Sequence, residues 1–565
     1  AATSVTLSEA TLNGSANPNG SSTTGWFRYS NVDPGTCNDV FGIRAPVAGG
    51  SELGAGNSPV PYSQALLGLA PGITYYYCAI AQSSEGTSFG SVLNFTTAVP
   101  PPTPVTLVVD VLTDDSALNA CTAAPTDCSL RGAMLVANDG DTITFAPSLF
   151  ILEGPKTILL GGSDMMVSND ITITGPGADQ LTIDAGGSSR VLTLLDVTAN
   201  ISGLTLKGGN GGSAHANGIG GAFYSVNGSV TLDGVRITGN SVPTAGGGAK
   251  LDGGTGHIVR NSTFDNNQVT GGAFAACGGL EATGGVTIVN STISGNSATG
   301  QGGGLCLFTA GMVRNSTITN NQSADEGGGL YGPGGTFDIG STIISGNSAP
   351  ERPEISVDSG TPVSSGFNLI GNSAGDAQDT GVAISYQASD ILNTAPVLGP
   401  LADNGGPTFT HRPAYFFPGH DKGCAFGATL DQRGMPRTID FPTAANASCS
   451  NPSENGTDIG AFELLTPTAG GAFVSGRVVD PSGKSVVIGA QVTVTDVSGK
   501  PIGSTTTNSF GVFTVSDVPV GEIYVVSVSS KGYTFDPSSQ VVQVDGDTTG
   551  VNFVGSSSTR RRRGR

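Results

Sequence analysis

The chain has 565 residues, of which 87 are glycine and only 12% are charged, and its formal net charge is −20. This composition favours β-architecture over helices, and the scattered acidic residues argue against nucleic acid or another polyanion as a partner. No apolar run of about 18 residues occurs, so no membrane-spanning helix is predicted, and the start at Ala1 is typical of a mature chain after export.

The first region, residues 1–99, consists of short alternating segments separated by turn signals, as at 25–29 and 69–77. This pattern predicts a β-sandwich. Trp26 and the Leu-Ala-Pro-Gly-Ile-Thr-Tyr segment at 69–75 resemble bacterial fibronectin type III-like domains. The simplest role for Trp26 is in the core, with sugar stacking as the alternative. The proline-rich run at 99–104 is a stiff spacer.

The second region, residues 105–466, contains a repeat. An asparagine closes each unit at intervals of 25–30 residues: Asn210, Asn240, Asn267, Asn296, Asn321, Asn347 and Asn372. Three units begin with Asn-Ser-Thr, at 261, 290 and 315, and glycine runs occur at 246–248, 302–304 and 327–329. Each unit has the length of three short strands with their turns, which predicts one coil of a parallel β-helix. Stacked coils would align the asparagines in a ladder and need glycine at tight corners.

The ends of this region carry motifs of their own. The run Cys-Ser-Leu-Arg-Gly-Ala at 128–133 resembles the Cys-Ser-Leu-Arg-Glu-Ala entry motif of secreted bacterial β-helix surface proteins, with Gly132 where that family has Glu. The segments at 398–407, 431–434 and 458–463 resemble the closing segment of the same family. The resemblance implies an exported solenoid and no particular reaction.

The third region, residues 472–554, resembles the carboxypeptidase regulatory-like domain in its segments at 474–483, 490–494, 507–513 and 518–524. That resemblance implies a small transthyretin-type β-sandwich without catalytic residues. Residues 555–565 form a basic tail that is either solvated or a partner-binding element for an acidic surface, such as an envelope polymer or another copy of the chain. Its candidate residues are Arg560, Arg561, Arg562, Arg563 and Arg565.

Eight cysteines and no Cys-x-x-Cys motif favour disulfides over a zinc site, and hence an oxidising, extracytoplasmic setting. Sequence proximity predicts three disulfides: Cys37 with Cys78, Cys121 with Cys128, and Cys424 with Cys449. The pairing of Cys277 with Cys306 is left open. With 278–280 aligned on 303–305, their sulfurs fall about four positions apart, too far for a bridge in that register.

A β-helix lyase or hydrolase would need carboxylates at matching positions in neighbouring coils, and a lyase also a basic residue near them. The acidic residues of the repeats do not recur at one ladder position: Asp233, Asp252, Asp265, Glu281, Asp325, Glu326 and Asp338. The basic residues are few: Arg236, Lys250, Arg260 and Arg314, of which the last two are expected to share a face. The closing segment holds His411, His420, Asp421 and Lys422, but no nucleophile elbow accompanies them.

The sequence therefore predicts an all-β protein, a parallel β-helix solenoid flanked by two β-sandwich domains, with no catalytic residue, cofactor or metal. We interpret it as a secreted structural protein of the bacterial cell surface that self-associates head to tail into a filament. The alternatives are a monomeric surface adhesin that binds glycans and a secreted polysaccharide lyase or hydrolase. A cluster of Asp, Glu, Arg or Lys on one exposed face of the coils would favour the enzyme.

Overall fold

The protein is described by a computed structural model that covers residues 1–151, 154–272, 276–374, 383–414, 417–441, 444–464, 471–482, 485–544 and 548–557. Its contacts divide the chain into two compact units, residues 1–103 and 104–565. Among the described residues, no helix has the length and apolar character needed to cross a membrane.

The first unit contains two antiparallel sheets. Its strands are β1 (Glu9–Ala16), β2 (Thr23–Ser30), β3 (Ile43–Ala45), β4 (Ser51–Gly54), β5 (Val60–Leu67), β6 (Thr74–Ser83), β7 (Gly86–Phe89) and β8 (Leu93–Thr96). β1 pairs with β5, and the other six strands form the second sheet around β2 and β6. Phe27, Tyr62 and Tyr77 are buried in its core. Trp26 is also buried, packs beside Cys78 and donates its indole N–H to Asp39 at 2.9 Å.

The second unit begins with a solenoid. In chain order its elements are β9 (Thr106–Val109), α1 (Leu130–Val136), β10 (Asp141–Phe145), a 3-10 turn (Pro147–Phe150), β11 (Lys156–Leu159), β12 (Met165–Val167), β13 (Ile171–Thr174), β14 (Leu181–Asp184), β15 (Leu192–Leu195), β16 (Thr198–Ser202), β17 (Thr205–Lys207), β18 (Phe223–Val226), β19 (Ser229–Asp233), β20 (Arg236–Thr238), β21 (Ser241–Val242), β22 (Ala249–Asp252), β23 (His257–Arg260), β24 (Thr263–Asp265), β25 (Gln268–Val269), β26 (Leu280–Ala282), β27 (Val286–Val289), β28 (Thr292–Ser294), β29 (Ser297–Ala298), β30 (Leu305–Leu307), β31 (Gly311–Arg314), β32 (Thr317–Thr319), β33 (Gln322–Ser323), β34 (Leu330–Gly332), β35 (Phe337–Gly340), β36 (Ile343–Ser345), β37 (Ile355–Val357), β38 (Val363–Gly366), β39 (Leu369–Ile370) and β40 (Ile391–Leu392).

These strands stack into three long parallel sheets that run the length of the solenoid. Sheet I has the order β9, β10, β13, β16, β19, β23, β27, β31, β35, β38; sheet II the order β11, β14, β17, β20, β24, β28, β32, β36, β39, β40; and sheet III the order β12, β15, β18, β22, β26, β30, β34, β37. A fourth, short sheet joins β21, β25, β29 and β33. Inward Ile, Leu, Val and Phe side chains form one continuous core. The predicted parallel β-helix is confirmed.

Each residue of the Asn-Ser-Thr motif has a different structural role. The asparagine has a left-handed conformation (φ 53°, 48° and 49° at Asn261, Asn290 and Asn315), which this side chain tolerates at a turn. The serine is buried beneath the turn, and the residue after the motif, Phe264 in the first copy, enters the core. The threonine faces outward on sheet II, where Thr263 donates a hydrogen bond to the carbonyl of Phe409 at 2.6 Å.

The asparagine ladder lies inside the solenoid. The side-chain Nδ2 of each ladder asparagine donates to the Oδ1 of the asparagine in the next coil, at 2.8–2.9 Å. The ladder consists of Asn240, Asn267, Asn296, Asn321 and Asn347. The predicted ladder is therefore present, but it is shorter than the sequence spacing indicates. Asn210 and Asn372 lie outside it. The Oδ1 of Asn210 accepts from Gly212, and that of Asn372 from Ala374.

The glycine runs fit against this ladder. The first glycine of each run has a positive φ, 62° at Gly246 and 70° at Gly302. A Cβ on the third glycine would lie 2.9 Å from the side chain of Asn267 at Gly248 and 2.9 Å from that of Asn321 at Gly304. Each unit therefore needs glycine both to turn the chain and to leave room for the buried amide.

The only α-helix of the described chain closes the first coil, and sequence reasoning missed it. α1 is capped by Ser129, whose Oγ accepts from Gly132 N at 2.9 Å, and it packs Leu130 and Ala133 into the solenoid core. A Cβ on Gly132 would lie 1.9 Å from the carbonyl oxygen of Leu118, so the Glu of the resembling motif cannot stand here in this backbone. α1 thus packs against β9, β10 and β12 at the start of the solenoid.

The closing segment, residues 398–464, lies on the outer face of sheet II. It contains β41 (Leu398–Ala402), β42 (Thr410–Pro413) and a 3-10 turn (Pro452–Glu454). Gln432 is fully buried; its Nε2 donates to Thr263 Oγ1 at 2.9 Å, and its Oε1 accepts from Thr292 Oγ1 at 2.6 Å. Asn290 and Asn315 donate to carbonyls of the same segment, those of Leu430 and Ala425.

The last described part contains two sheets, in which all neighbouring strands are antiparallel except β43 and β50, which pair in parallel. Its strands are β43 (Gly471–Val479), β44 (Gln491–Asp496), β45 (Pro501–Thr506), β46 (Val512–Pro519), β47 (Glu522–Ser529), β48 (Tyr533–Phe535), β49 (Ser539–Val544) and β50 (Phe553–Ser557). One sheet has the order β46, β43, β50, β48 and the other β45, β44, β47, β49. Val474, Val492, Phe513, Tyr524 and Phe553 are buried between them.

Four disulfides are present. Three are the pairs that sequence proximity predicts: Cys37 with Cys78, Cys121 with Cys128 and Cys424 with Cys449. The fourth joins Cys277 to Cys306, whose Cα atoms are 5.6 Å apart, so the argument from register was wrong. The register itself holds, because Leu280 pairs with Leu305. The chain turns sharply at Cys277 (φ 68°) and brings it back beside Cys306.

Candidate functional site

Two arginines of the repeats share one column on the outer face of sheet I. Arg260 pairs in register with Val289, and Val289 pairs with Arg314 in the next coil. The column beside it places Ile258 and Met312 on the same face, with Thr287 between them. The sequence therefore placed the two arginines on one face correctly.

These side chains line a groove of about 510 Å³, which we call the sheet I groove. Its lining residues are Ile258, Arg260, Val289, Met312, Arg314, Phe426, Gly427 and Ala428. The last three come from the closing segment. Met312 and Phe426 are 42% and 37% exposed, so apolar surface is open to solvent at the centre and at one wall.

Each arginine of the groove is held by a carboxylate. Arg260 Nε lies 2.9 Å from Asp233 Oδ2, and both side chains are partly exposed. Arg314 is nearly buried; it forms an ion pair with Asp338 and donates to the Asp338 carbonyl at 2.9 Å. Its guanidinium lies 4.8 Å from the centroid of Phe426. The groove thus combines two fixed arginine–aspartate pairs with an aromatic wall.

Phe426 could not be found from the sequence, because it comes from a loop that lies far along the chain from the strands that it contacts, β31 and β35. Its ring fits over Gly340, where an added Cβ would lie 2.8 Å from ring carbons. Gly340 follows Arg314 in the same column of sheet I. The absence of a side chain there is what lets the closing segment reach over sheet I.

The other charges of the repeats form pairs between neighbouring coils. Lys250 and Glu281 occupy one ladder position on sheet III and form a salt bridge. Asp184 and Lys207 do the same on sheet II at 3.2 Å. Acidic and basic residues thus occupy the same ladder position in neighbouring coils. The positions of the acidic residues alone do not reveal this pattern. Directly opposed charges of this kind stabilise adjacent strands.

The carboxyl group of Glu281 is buried, and its pKa is shifted from the ordinary value. It is 3% exposed, and burial raises the pKa of its carboxyl group even though Lys250 opposes that shift. Tyr224 lies on the other side of Lys250 in the same column, and its hydroxyl donates to Asp252 at 3.1 Å. Burial, followed by Asp252, raises the pKa of Tyr224 to about 12.

The remaining acidic residues are dispersed. Asp265 accepts two hydrogen bonds from Arg236, whose guanidinium lies 3.9 Å from the ring centroid of Phe409. Asp325 is exposed, whereas Glu326 is buried and forms an ion pair with Arg352. Adjacent in sequence, these two carboxylates do not face one site.

The histidines of the closing segment are buried. His411 Nε2 lies 2.8 Å from Ser294 Oγ, and its Nδ1 lies 2.7 Å from the carbonyl of Gly399. Burial lowers the pKa of His411. Ser294 and His411 are each 3% exposed and the third group is a carbonyl, so this contact is not accessible as a nucleophile site. Lys422 donates to the carbonyl of Ala445.

The tail arginines Arg560, Arg561, Arg562, Arg563 and Arg565 lie outside the described residues.

Comparison with known proteins identifies one module. Residues 474–555 match the family model of the carboxypeptidase regulatory-like domain. No curated protein matches the chain. Among solved structures, the crystal structure of pectate lyase Pel9A is similar to 64% of this chain and 97% of its own, with 17% identity and a TM-score of 0.38. A Yersinia enterocolitica family 28 exopolygalacturonase is similar to 69% of this chain and 88% of its own, with 11% identity and a TM-score of 0.22. At these values nothing about function follows from either structure.

Proposed function

We propose that the protein is an extracellular polysaccharide-binding protein whose binding site is the sheet I groove. The observation that carries this proposal is the combination of exposed apolar side chains with two fixed arginine–aspartate pairs in one groove. Sugar rings present apolar C–H faces and a rim of hydroxyl groups. Phe426 and Met312 suit the faces, and charged side chains already held in place can exchange directed hydrogen bonds with the hydroxyls.

The expected ligand is a neutral polysaccharide. Within the groove, Asp233 balances Arg260 and Asp338 balances Arg314, so no net positive charge is available there. The net charge of the whole chain is −20, which disfavours approach of an acidic polymer. A polyuronate is therefore the contrasting ligand in any test.

The separation of the two groove carboxylates, Asp233 and Asp338, supports binding of the polysaccharide without its cleavage. A glycoside hydrolase needs two carboxyl groups about 5–9.5 Å apart. Asp233 lies on β19 and Asp338 on β35, four strand steps apart along sheet I, and steps of about 4.8 Å place them roughly 19 Å apart. The four disulfides support an extracellular setting.

We expect Phe426→Ala and Arg260→Ala each to weaken binding of a neutral glucan or mannan about tenfold, which corresponds to about 1.4 kcal/mol. Affinity electrophoresis with each polymer measures this. Phe510→Ala is the matched control, since Phe510 is 69% exposed in the carboxypeptidase regulatory-like module. Unchanged binding in both groove variants, or binding of a polyuronate alone, would contradict the proposal. Release of shorter products would show cleavage instead.

The filament interpretation stays a prediction, because the arginine tail on which it depends lies outside the described residues. Electron microscopy should show filaments of the full chain that shorten or vanish when the chain ends at Ser558. Single molecules at every protein and salt concentration would leave the monomeric glycan-binding protein as the remaining candidate.

A further inference from the structure

Three potential metal ligands meet in the closing segment, away from the sheet I groove. They are His420, Asp421 and Asp458, which are 8%, 0% and 1% exposed. One ring nitrogen of His420 and one carboxylate oxygen from each aspartate lie within 4.8 Å of one another. Sequence analysis noted His420 and Asp421 but had no means of placing Asp458 beside them.

The three side chains are held in place by the surrounding backbone. Asp458 Oδ1 accepts from Asp421 N at 2.9 Å, and its Oδ2 accepts from Leu464 N at 2.7 Å. The ring of His420 lies between Phe417 and Phe441, with centroid distances of 6.4 and 4.3 Å. The positions of the three groups are therefore fixed before any ligand arrives.

One atom of this group lacks a partner. Asp421 Oδ2 accepts from Phe441 N at 3.1 Å, whereas Oδ1 is buried and makes no hydrogen bond in the described part of the chain. Leaving a buried carboxylate oxygen without a hydrogen bond destabilises the folded state. Oδ1 is thus the oxygen that is available to a cation.

The neighbouring cations do not neutralise the two aspartates. Arg433 forms its ion pair with Asp431, and Arg437 lies 3.8 Å from Glu463. Within the described residues, neither Asp421 nor Asp458 has an ion pair. Lys422 lies near Asp421, but its ammonium group donates to the carbonyl of Ala445. Two buried carboxylates without an ion-pair partner favour either protonation of one of them or a bound cation.

We propose that His420, Asp421 and Asp458 bind one divalent transition-metal ion, of which Zn²⁺ is the best representative. One imidazole nitrogen and two carboxylate oxygens suit zinc, with bonds of about 2.0–2.2 Å, whereas calcium prefers oxygen ligands alone. In a tetrahedral site, donor atoms at these bond lengths are about 3.4 Å apart, so the three donor atoms, which lie within 4.8 Å of one another, would move closer together when the ion binds. The site would tie the His420 turn to the Asp458 segment and so hold the closing segment on sheet II.

The test is metal analysis of the intact protein. After chelation and dialysis, we expect isothermal titration with Zn²⁺ to give one site per chain, and Zn²⁺ to raise the thermal midpoint. His420→Gln and Asp421→Asn should each weaken binding at least tenfold. His411→Gln is the matched control, because His411 is a buried histidine of the same closing segment that lies outside the cluster. Binding that survives in His420→Gln would overturn the proposal.

A second measurement avoids dependence on variants that fail to fold. Co²⁺ added to the wild-type chain should give the visible d–d absorption of a low-symmetry site with a nitrogen ligand, and Zn²⁺ should abolish it by competition. If the wild-type protein takes up neither ion, the metal site does not exist.

Discussion

Replacing Asn296 by alanine is expected to lower the free energy of unfolding of the solenoid by about 3–5 kcal/mol, since each buried polar group left without a partner costs about 1–3 kcal/mol. Asn296 is fully buried at the middle of the ladder. Its Oδ1 accepts from both N and Nδ2 of Asn267, at 3.0 and 2.9 Å. Its own Nδ2 donates to the carbonyl of Phe264 and to Asn321 Oδ1, each at 2.9 Å. The substitution therefore removes four hydrogen bonds to groups in the two neighbouring coils.

The matched control is Asn210→Ala. Asn210 lies one residue beyond Gly209, which is the residue in register with Asn240. It is only partly buried, and its side chain donates to the carbonyl of Gly187, outside the ladder. We expect a loss of about 1 kcal/mol there. Denaturation followed by circular dichroism measures both variants. Trp26 is the only tryptophan and lies in the first unit, so its fluorescence transition should stay unchanged and serves as an internal reference. Equal losses in the two variants would contradict a cooperative ladder.

The repeat could be predicted from the sequence because its physical causes are local and periodic. A turn that needs asparagine, an interior that needs Ile or Phe, and a corner that needs glycine each recur once per coil. The spacing does not reveal where the ladder stops. At one end Gly209 N donates to Asn240 Oδ1, and at the other Asn347 donates to Glu354. Gly209 occupies the ladder position in its own coil, in register with Asn240, and Glu354 comes from the segment just before β37.

The candidate sites were less predictable because they depend on residues outside the repeat. The sheet I groove needs Phe426, and the proposed metal site needs Asp458, both from a closing segment that has no periodicity. Its position is set by individual contacts, such as the buried Gln432 amide against Thr263 and Thr292. Likewise, Cys277 reaches Cys306 only because the chain turns at a glycine-rich corner, which a straight alignment of two strands does not represent.

The second large effect is expected at the buried ion pair of sheet III. Lys250→Met should destabilise the solenoid by about 3–5 kcal/mol at neutral pH, because it leaves the Glu281 carboxylate buried without its counter-charge. Glu281 Oε2 already lacks a hydrogen bond, so no other group in the described chain takes over from the lysine. Methionine retains most of the aliphatic volume, so the loss reports on charge rather than on packing.

The pH dependence of the Lys250→Met variant follows from the direction of the pKa shift. Burial raises the pKa of Glu281 above its ordinary value, and removing Lys250 removes the main influence that lowers it. A group whose folded-state pKa is raised binds its proton more tightly in the folded state, so its stabilising contribution is present at acid pH and lost as the pH rises through that pKa. The variant should therefore approach wild-type stability near pH 4 and fall behind it at higher pH. The double variant Lys250→Met, Glu281→Gln should recover much of the loss at neutral pH.

Arg260→Met is the control that separates the cost of a buried, unpaired carboxylate from the cost of losing an exposed ion pair between neighbouring coils. Arg260 and Asp233 also face each other in neighbouring coils, but their side chains are 52% and 31% exposed. Water screens such a pair, so we expect a loss of at most about 1 kcal/mol with little dependence on pH. Chemical denaturation of the two single variants and the double variant at several pH values provides the comparison. If Lys250→Met were as mild as Arg260→Met, the Glu281 carboxyl would be solvated or protonated in the native protein, and the sheet III pair would contribute no more than a surface ion pair.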